Sequence, residues 1–175
     1  GVVAGWDCYE EAIAKQPTEP LAQEPRGDFM NYSSGTTGRP KGIKRPLSGE
    51  DFAGASMLDI LVEKLYQVGT ETVYLSPAPL YHAAPLGFTA AVHSLGGTNV
   101  IMEKFDPVAS LRLIEKHRVT HSQWVPTMFI RMLKLDAADR AGHDLSSHQI
   151  AIHAAAPCPI DVKHQMIDWW GPIIW

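Results

Sequence analysis

The chain has 175 residues, of which 45% are hydrophobic and 19% are charged, as in globular proteins with a sizeable core. The formal net charge of −4 gives no sign of a nucleic-acid or membrane-surface partner, and no stretch is apolar over the length of a membrane-spanning helix. Two cysteines are too few for a disulfide framework, so we expect a reducing, cytoplasmic environment.

Residues 1–28 are predicted to form a separate N-terminal segment. They contain a helical candidate at 9–15, followed by a connector rich in proline and glutamate. The main domain is predicted over residues 29–175, and it begins with a short strand at 29–32.

A run rich in glycine and hydroxyl side chains follows that strand, from Ser33 to Gly42. Its glycines let the backbone approach a ligand closely and turn N–H groups toward an anion, and Lys41 adds a mobile charge for terminal phosphates. The spacing fits neither the P-loop pattern nor the dinucleotide fingerprint. The residues alone leave open whether this is a polyphosphate site or an ordinary polar loop. Lys44 and Arg45 either form a wall of the same site or are solvated surface cations.

From residue 48 onward, helical and strand patterns alternate. Ser48 and Asp51 are spaced like a capping box. Four apolar residues then repeat at helical spacing: Ala55, Leu58, Val62 and Leu65. Further strands are predicted at 72–75, 99–102, 119–125 and 149–153, and further helices at 85–95, from Asp106-Pro107, at 126–135 and at 159–170. This alternation predicts an α/β fold with a mostly parallel sheet and helices on both faces.

Ligands of such sheets bind beyond the carboxyl ends of the strands, where three loops are chemically unusual. A proline-rich loop presents Tyr81 and His82, and His82 is either a ligand-facing residue or an ordinary loop histidine. Residues 124–129 contain Trp, Met and Phe, which are more often core residues. The small side chains of residues 154–157 would let a flat ring approach the backbone. Cys158 has no evident neighbour that lowers its thiol pKa, so we expect a structural role for it.

Two other chemistries find no support. A G-x-S-x-G run is absent, which argues against an α/β-hydrolase nucleophile. His117 and His121 lack a cysteine pair or an intervening glutamate, so no metal site is predicted in this chain.

The glycine run Tyr32-Ser33-Ser34-Gly35-Thr36-Thr37-Gly38-Arg39-Pro40-Lys41-Gly42 closely resembles the signature loop of the adenylate-forming superfamily. That superfamily includes acyl-CoA synthetases, luciferases and the adenylation domains of peptide synthetases. Three later runs resemble motifs of the same family in the same order: Pro79-Leu80-Tyr81-His82, Val125-Pro126-Thr127 and Ala154-Ala155-Ala156-Pro157. Two positions depart from the commoner residue, since Ser33 stands for Thr and Ala154 for Gly. The resemblance covers nearly the whole chain and is greatest to the acyl-CoA synthetase branch.

The resemblance implies an activity and a set of site residues. A fatty or aryl acid would attack the α-phosphate of ATP, and the thiol of CoA would then displace AMP from the acyl-adenylate. The implied phosphate site consists of Ser33, Ser34, Gly35, Thr36, Thr37, Gly38 and Lys41. The implied acyl pocket consists of Tyr81, His82 and Trp124, with His82 as the gate to the acid. The implied adenine site consists of Ala154, Ala155, Ala156 and Pro157.

Mg would neutralise part of the phosphate charge. The family glutamate that serves Mg would follow Trp175, as would the ribose-binding aspartate and the small C-terminal domain. We therefore expect an internal fragment of a synthetase N-terminal domain, inactive on its own. Two alternatives stay open: a non-catalytic nucleotide- or acyl-binding structural subdomain, and a fragment of an amino-acid adenylation domain.

Overall fold

The computed structural model describes residues 3–33 and 38–175. They form two compact units, one ending at Gly54 and the other spanning Ala55–Trp175. Residues 29–54 therefore group with the N-terminal residues in the structure, whereas the sequence prediction separates them after residue 28. The predicted domain boundary stays a prediction, because compactness alone does not define a domain.

The first unit contains a short helix, α1 (Tyr9–Ile13), and two short antiparallel strands, β1 (Asn31–Ser33) and β2 (Lys41–Ile43). Helix α1 lies within the predicted segment, and β1 starts two residues later than predicted. Strand β2 was not predicted, because three residues are too few to show a period of two.

A second contact in this unit is made by Arg26. Its guanidinium lies 3.3 Å from Glu50 Oε2 and donates to the backbone carbonyl oxygens of Asp51 and Gly54. The Arg26 N–H also donates to the carbonyl oxygen of Glu50, at 2.8 Å. These bonds hold residues 50–54 in a non-helical conformation, which is why the helix predicted from Ser48 does not begin there.

Helix α2 spans Met57–Tyr66 and is capped by Ser56. Ser56 Oγ accepts a hydrogen bond from the Asp59 N–H at 3.1 Å, and the Asp59 carboxylate accepts one from the Ser56 N–H at 2.6 Å. The capping box predicted at Ser48 and Asp51 is therefore wrong. The motif is real but lies at the next serine with the same spacing.

The outer side of α2 is apolar. Val62 is fully buried, but four residues of the helix are 43% to 81% exposed: Met57, Ile60, Leu61 and Leu65. We call these four residues the α2 stripe. Leu65 was predicted on the buried face, and its exposure shows that the face is narrower than its helical spacing suggests.

The second unit alternates strands and helices along the chain. Its remaining elements are β3 (Val73–Ser76), α3 (Ala83–Ser94), β4 (Thr98–Ile101), α4 (Pro107–His117), β5 (His121–Trp124), α5 (Pro126–Leu133), α6 (Ala137–Ala141), β6 (Ile150–His153) and α7 (Ile160–Trp170). The four strands are parallel and lie in the order β4-β3-β5-β6. Residues 173–175 continue the sheet beside β6, since the N–H of Ala151 donates to Ile173 O and the N–H of Trp175 donates to Ala151 O. The predicted parallel α/β fold is confirmed.

Both faces of the sheet are covered. Tyr74 packs in a cluster with α2 and α3, whereas its neighbour Leu75 packs in the larger cluster with α4, α5 and α7. Successive residues of a strand point to opposite faces, so two adjacent buried residues require helices on both sides. Among the described residues, no helix is both long and apolar enough to cross a membrane.

Local signals set several helix starts. Asp106 caps α4 as predicted, since its carboxylate accepts a hydrogen bond from the Ala109 N–H at 2.8 Å. Helix α3 begins at Ala83, so Pro85 lies in its first turn rather than at its first position. Helix α6 was not predicted.

Candidate functional site

The direction in which successive strands are added to the sheet reverses at β3. Strand β4 pairs with one side of β3, and β5, the next strand along the chain, pairs with the other. Ligands of open α/β sheets bind at such a point, beyond the carboxyl ends of the strands. His82 follows β3, Trp124 ends β5, and residues 154–157 follow β6. The structure therefore places these three predicted groups at the carboxyl edge of one sheet.

Tyr81 and His82 lie at the surface of the loop after β3. The Tyr81 side chain is 82% exposed, and the two ring centroids are 4.5 Å apart. His82 is the N-cap residue of α3, but its side chain makes no capping hydrogen bond. Pro77, at the start of the loop, is fully buried and anchors it. Neither aromatic ring fills the core, so both remain open to a ligand or to solvent.

Trp124 lies in the core. Its side chain is 1% exposed, and its ring packs against Phe105, Phe129 and Trp170 at centroid distances of 5.3 to 6.3 Å. The indole N–H is also used internally, because it donates to Ser122 Oγ at 2.5 Å. Trp124 is therefore a core residue in the structure, which is the commoner role of such side chains. A place for Trp124 in an acyl pocket stays a prediction.

The loop after β6 has an unusual backbone. Ala155 has φ of +72°, in the left-handed region that costs a residue with Cβ about 1–2 kcal/mol. The other described non-glycine residues with positive φ, Gln67 and Arg118, end helices α2 and α4, where this conformation is common. Ala155 ends no helix. Residues 155–157 are exposed. This strained segment therefore presents a surface of small side chains at the edge of the sheet.

Two polar residues flank this loop. Both ring nitrogens of His153 are buried and lack a protein hydrogen-bond partner among the described residues. Burial and the nearby Lys163 ammonium lower the pKa of His153, so its ring is neutral at pH 7. Sequence reasoning treated His153 only as the end of a strand, and no local signal marked it. Burial also raises the pKa of the Cys158 thiol, which fits a structural role.

The glycine run lies in the first unit, between β1 and β2. Ser33 is the Cα partner of Lys41, so the two ends of the run meet at the base of the hairpin. Gly38 has φ of +78°, and Lys41 is exposed. The predicted phosphate-binding residues Ser34, Gly35, Thr36 and Thr37 lie outside the described residues. The described part of the run thus consists of the paired ends of β1 and β2, with an exposed lysine at the start of β2.

Gly42 lies beneath two side chains of the same hairpin. A Cβ atom there would lie 3.1 Å from Cε1 of Tyr32 and 2.9 Å from Cε of Met30. The Tyr32 ring therefore covers the backbone of β2 at the position next to Lys41.

Metal ligands are not clustered in the described part of the chain. Residues 3–33 and 38–175 contain no group of three or more His, Cys, Asp or Glu side chains that could hold a metal ion.

The sequence matches one family over nearly its full length. A family model described as AMP-binding enzyme matches residues 3–175. The chain is 31% identical over 160 residues to 4-hydroxybutyrate–CoA ligase 2 of Metallosphaera sedula, covering 89% of this chain and 28% of that protein. It is 38% identical over 135 residues to 4-coumarate–CoA ligase 5 of Oryza sativa subsp. japonica, covering 73% of this chain and 23% of that protein. The chain thus spans about a quarter of the length of these relatives.

A solved structure supports the fold. The chain superposes on the inhibitor-bound N-terminal domain of FACL13 from Mycobacterium tuberculosis with a TM-score of 0.71 and 25% identity. The match covers 91% of this chain and 39% of that one.

Proposed function

This chain belongs to the AMP-binding enzyme family, and on that premise we propose that its parent protein is an AMP-forming acyl-CoA synthetase. The reaction would join a carboxylic acid to CoA through an acyl-adenylate, with release of pyrophosphate and then AMP. The two relatives are named for 4-hydroxybutyrate and 4-coumarate, which supports an aliphatic or aryl acid as the substrate class. Fatty acid metabolism in the cytoplasm is the corresponding cellular role.

The observation that carries the proposal is the pairing of Ser33 with Lys41 at the base of the glycine run. Directly opposed residues of an antiparallel pair have side chains on the same face of the hairpin. A hydroxyl donor and an ammonium group would therefore act on the same anion. Adenylyl transfer depends mainly on such positioning and charge stabilisation, and it needs no covalent nucleophile.

Residues 154–157 would hold the adenine ring. Three alanines leave the backbone accessible to a flat ring, and the left-handed Ala155 sets the direction of the chain there. Strained backbone that no helix end explains is most often found at ligand sites.

Tyr81 and His82 would border the acid. Both lie at the carboxyl end of β3, and neither is used in the core or in capping α3. His82 would accordingly be free to gate the entry of the carboxylate. The role of Trp124 would be indirect, since its indole is buried behind this edge.

ATP and CoA would be substrates of the whole protein. Mg²⁺ would shield the phosphates, and no step proposed for this chain depends on it. The 175-residue chain would not complete the reaction, because it spans about a quarter of the length of the two CoA ligases. Formation of acyl-AMP by the purified chain would contradict this last point.

Calorimetric titration of the purified chain with ATP tests the proposal. We expect binding by the wild type and a loss of at least tenfold in affinity for Lys41→Ala, because a charge-assisted hydrogen bond contributes about 1.5–3 kcal/mol. Lys15→Ala is the matched control, since it removes an exposed lysine of the same unit that lies outside the glycine run. Equal losses in the two variants would indicate non-specific attraction. No binding by a chain that circular dichroism shows to be folded would favour the structural-subdomain alternative.

A further inference from the structure

A chain of hydrogen bonds crosses the core of the second unit. Trp124 Nε1 donates to Ser122 Oγ at 2.5 Å, and Ser122 Oγ lies 2.6 Å from His148 Nε2. The three residues are 1%, 0% and 6% exposed, respectively. All three side chains are therefore shielded from solvent, and neither Ser122 nor His148 has a part in the proposed function. We call it the Trp124–Ser122–His148 chain.

The geometry disfavours a charged His148. The Trp124 indole can only donate, so Ser122 Oγ accepts from it, and the direction of its bond with His148 Nε2 depends on the tautomer of the imidazole. The other ring nitrogen, Nδ1, is buried and has no hydrogen-bond partner among the described residues. An imidazolium carries a hydrogen on both ring nitrogens, so its Nδ1–H would be a buried donor without an acceptor among these residues.

The surroundings of His148 strengthen this preference. Burial, with a smaller contribution from the charge of His121 on β5, lowers the pKa of His148 to about 3. His121 differs in that both of its ring nitrogens have oxygen partners, Thr120 Oγ1 at 2.8 Å and Tyr66 O at 2.7 Å. From α7, the group that faces His148 is the Trp170 ring, which does not ionise, at a centroid distance of 5.0 Å.

His148 and Trp170 bracket one continuous segment. His148 lies just before β6, and Trp170 is the last residue of α7. Residues 154–157 lie between these two elements. Trp170 also packs against Trp124 and Phe129, so His148 is one of several supports of the end of α7 and, through it, of the loop after β6.

We propose that His148 is an acid-sensitive latch that holds α7 against the sheet. In its neutral form it completes the Trp124–Ser122–His148 chain and supports Trp170, and protonation breaks the chain and loosens the C-terminal end of α7. The pKa of an exposed histidine is about 6.5, so the open state binds the extra proton below that pH. The latch is therefore at full strength above pH 6.5 and weakens as the pH falls toward the folded-state pKa. The proposal does not depend on the proposed function, because no substrate enters it.

Hydrogen exchange measured by mass spectrometry tests the latch in the wild-type chain. After correction for the intrinsic exchange rate, we expect the protection of α7 to fall about tenfold per pH unit below 6.5, as one bound proton requires. Helix α4 is the internal reference and should keep its protection over the same range. In His148→Gln the side-chain amide keeps an acceptor for Ser122 and does not titrate, so this pH dependence should disappear. His117→Gln, which removes an exposed histidine, should behave as the wild type.

An unchanged pH dependence of α7 in His148→Gln would overturn the proposal. Should that variant not fold, the wild type supplies the decisive measurement through the NMR signal of the His148 ring. The latch requires that this signal does not titrate while α7 stays protected. A signal that titrates near pH 6.5 with α7 protection unchanged would contradict it.

Discussion

Ser33 and Lys41 stand directly opposite each other in the β1–β2 hairpin, at the base of the glycine run. Their side chains therefore share a face, so that a bound polyphosphate would contact both. Because both side chains would contact the same anion, their contributions to its binding free energy should not be independent.

We predict coupling between Ser33 and Lys41 in tripolyphosphate binding. Ser33→Ala should weaken binding by about 0.5–1.5 kcal/mol and Lys41→Ala by more, since the second bond is charge-assisted. In the double variant the losses should fall short of additivity by about 0.5 kcal/mol or more, measured by calorimetry. Strict additivity would mean that the two groups do not share one anion.

The cap of α2 gives a matched pair of serines. Ser56→Ala should lower the free energy of unfolding by about 1 kcal/mol, because it removes the capping hydrogen bond that Ser56 Oγ accepts from the Asp59 N–H. Ser48→Ala should change it by less than about 0.5 kcal/mol, because Ser48 accepts only a local hydrogen bond from the Glu50 N–H. Urea denaturation of the two variants compares them directly. Equal effects would restore Ser48 as a capping residue.

Gly97 is predicted to be intolerant of a methyl group. A Cβ there would lie 2.8 Å from Val92 Cγ1 and 3.1 Å from the backbone oxygens of Gly69 and Thr72, and backbone cannot move aside easily. Gly97→Ala should therefore destabilise the second unit by about 1–3 kcal/mol in thermal or urea unfolding. Gly69→Ala is the control, because its Cβ would meet no atom within 4 Å. Similar costs at both glycines would show that the close approach at Gly97 is relieved.

The strain at Ala155 predicts a stabilising substitution. Ala155→Gly should raise the free energy of unfolding by about 0.5–1 kcal/mol, because glycine adopts positive φ without the Cβ contact. Ala154→Gly, at a residue without positive φ, should lower it by a similar amount through the greater entropy of the unfolded chain. The two variants are isomers with opposite expected signs, so calorimetric unfolding separates them. A destabilising Ala155→Gly would mean that the left-handed conformation carries no strain.

The sheet of the second unit was predictable because its signals are local. Asp106-Pro107 marks the start of α4 through the chemistry of two adjacent residues, and the apolar strand around Tyr74 and Leu75 indicates burial on both faces. The family motifs could likewise be identified because each is a short, contiguous run of residues. Helices of ten or so residues with clear caps are compatible with few other secondary-structure assignments.

The wrong prediction at Ser48, and the features that were not predicted, depend on residues that are distant in the sequence. Ser48 has the spacing of a cap, but Arg26 holds the following residues through three contacts made from outside the segment. The burial of Trp124 and the left-handed backbone of Ala155 depend on how β5 and β6 meet the helices, and the Ser122–His148 hydrogen bond joins residues 26 positions apart. No local pattern encodes these relationships.

The α2 stripe has a practical consequence for following the folding of this chain. Met57, Ile60, Leu61 and Leu65 present an apolar surface while the helix is fully formed and capped. Dyes that fluoresce on apolar surfaces will therefore bind the native chain, and thermal-shift assays that rely on them will begin from a high signal. Circular dichroism is the appropriate reporter of unfolding, and the same surface will favour self-association as the protein concentration rises.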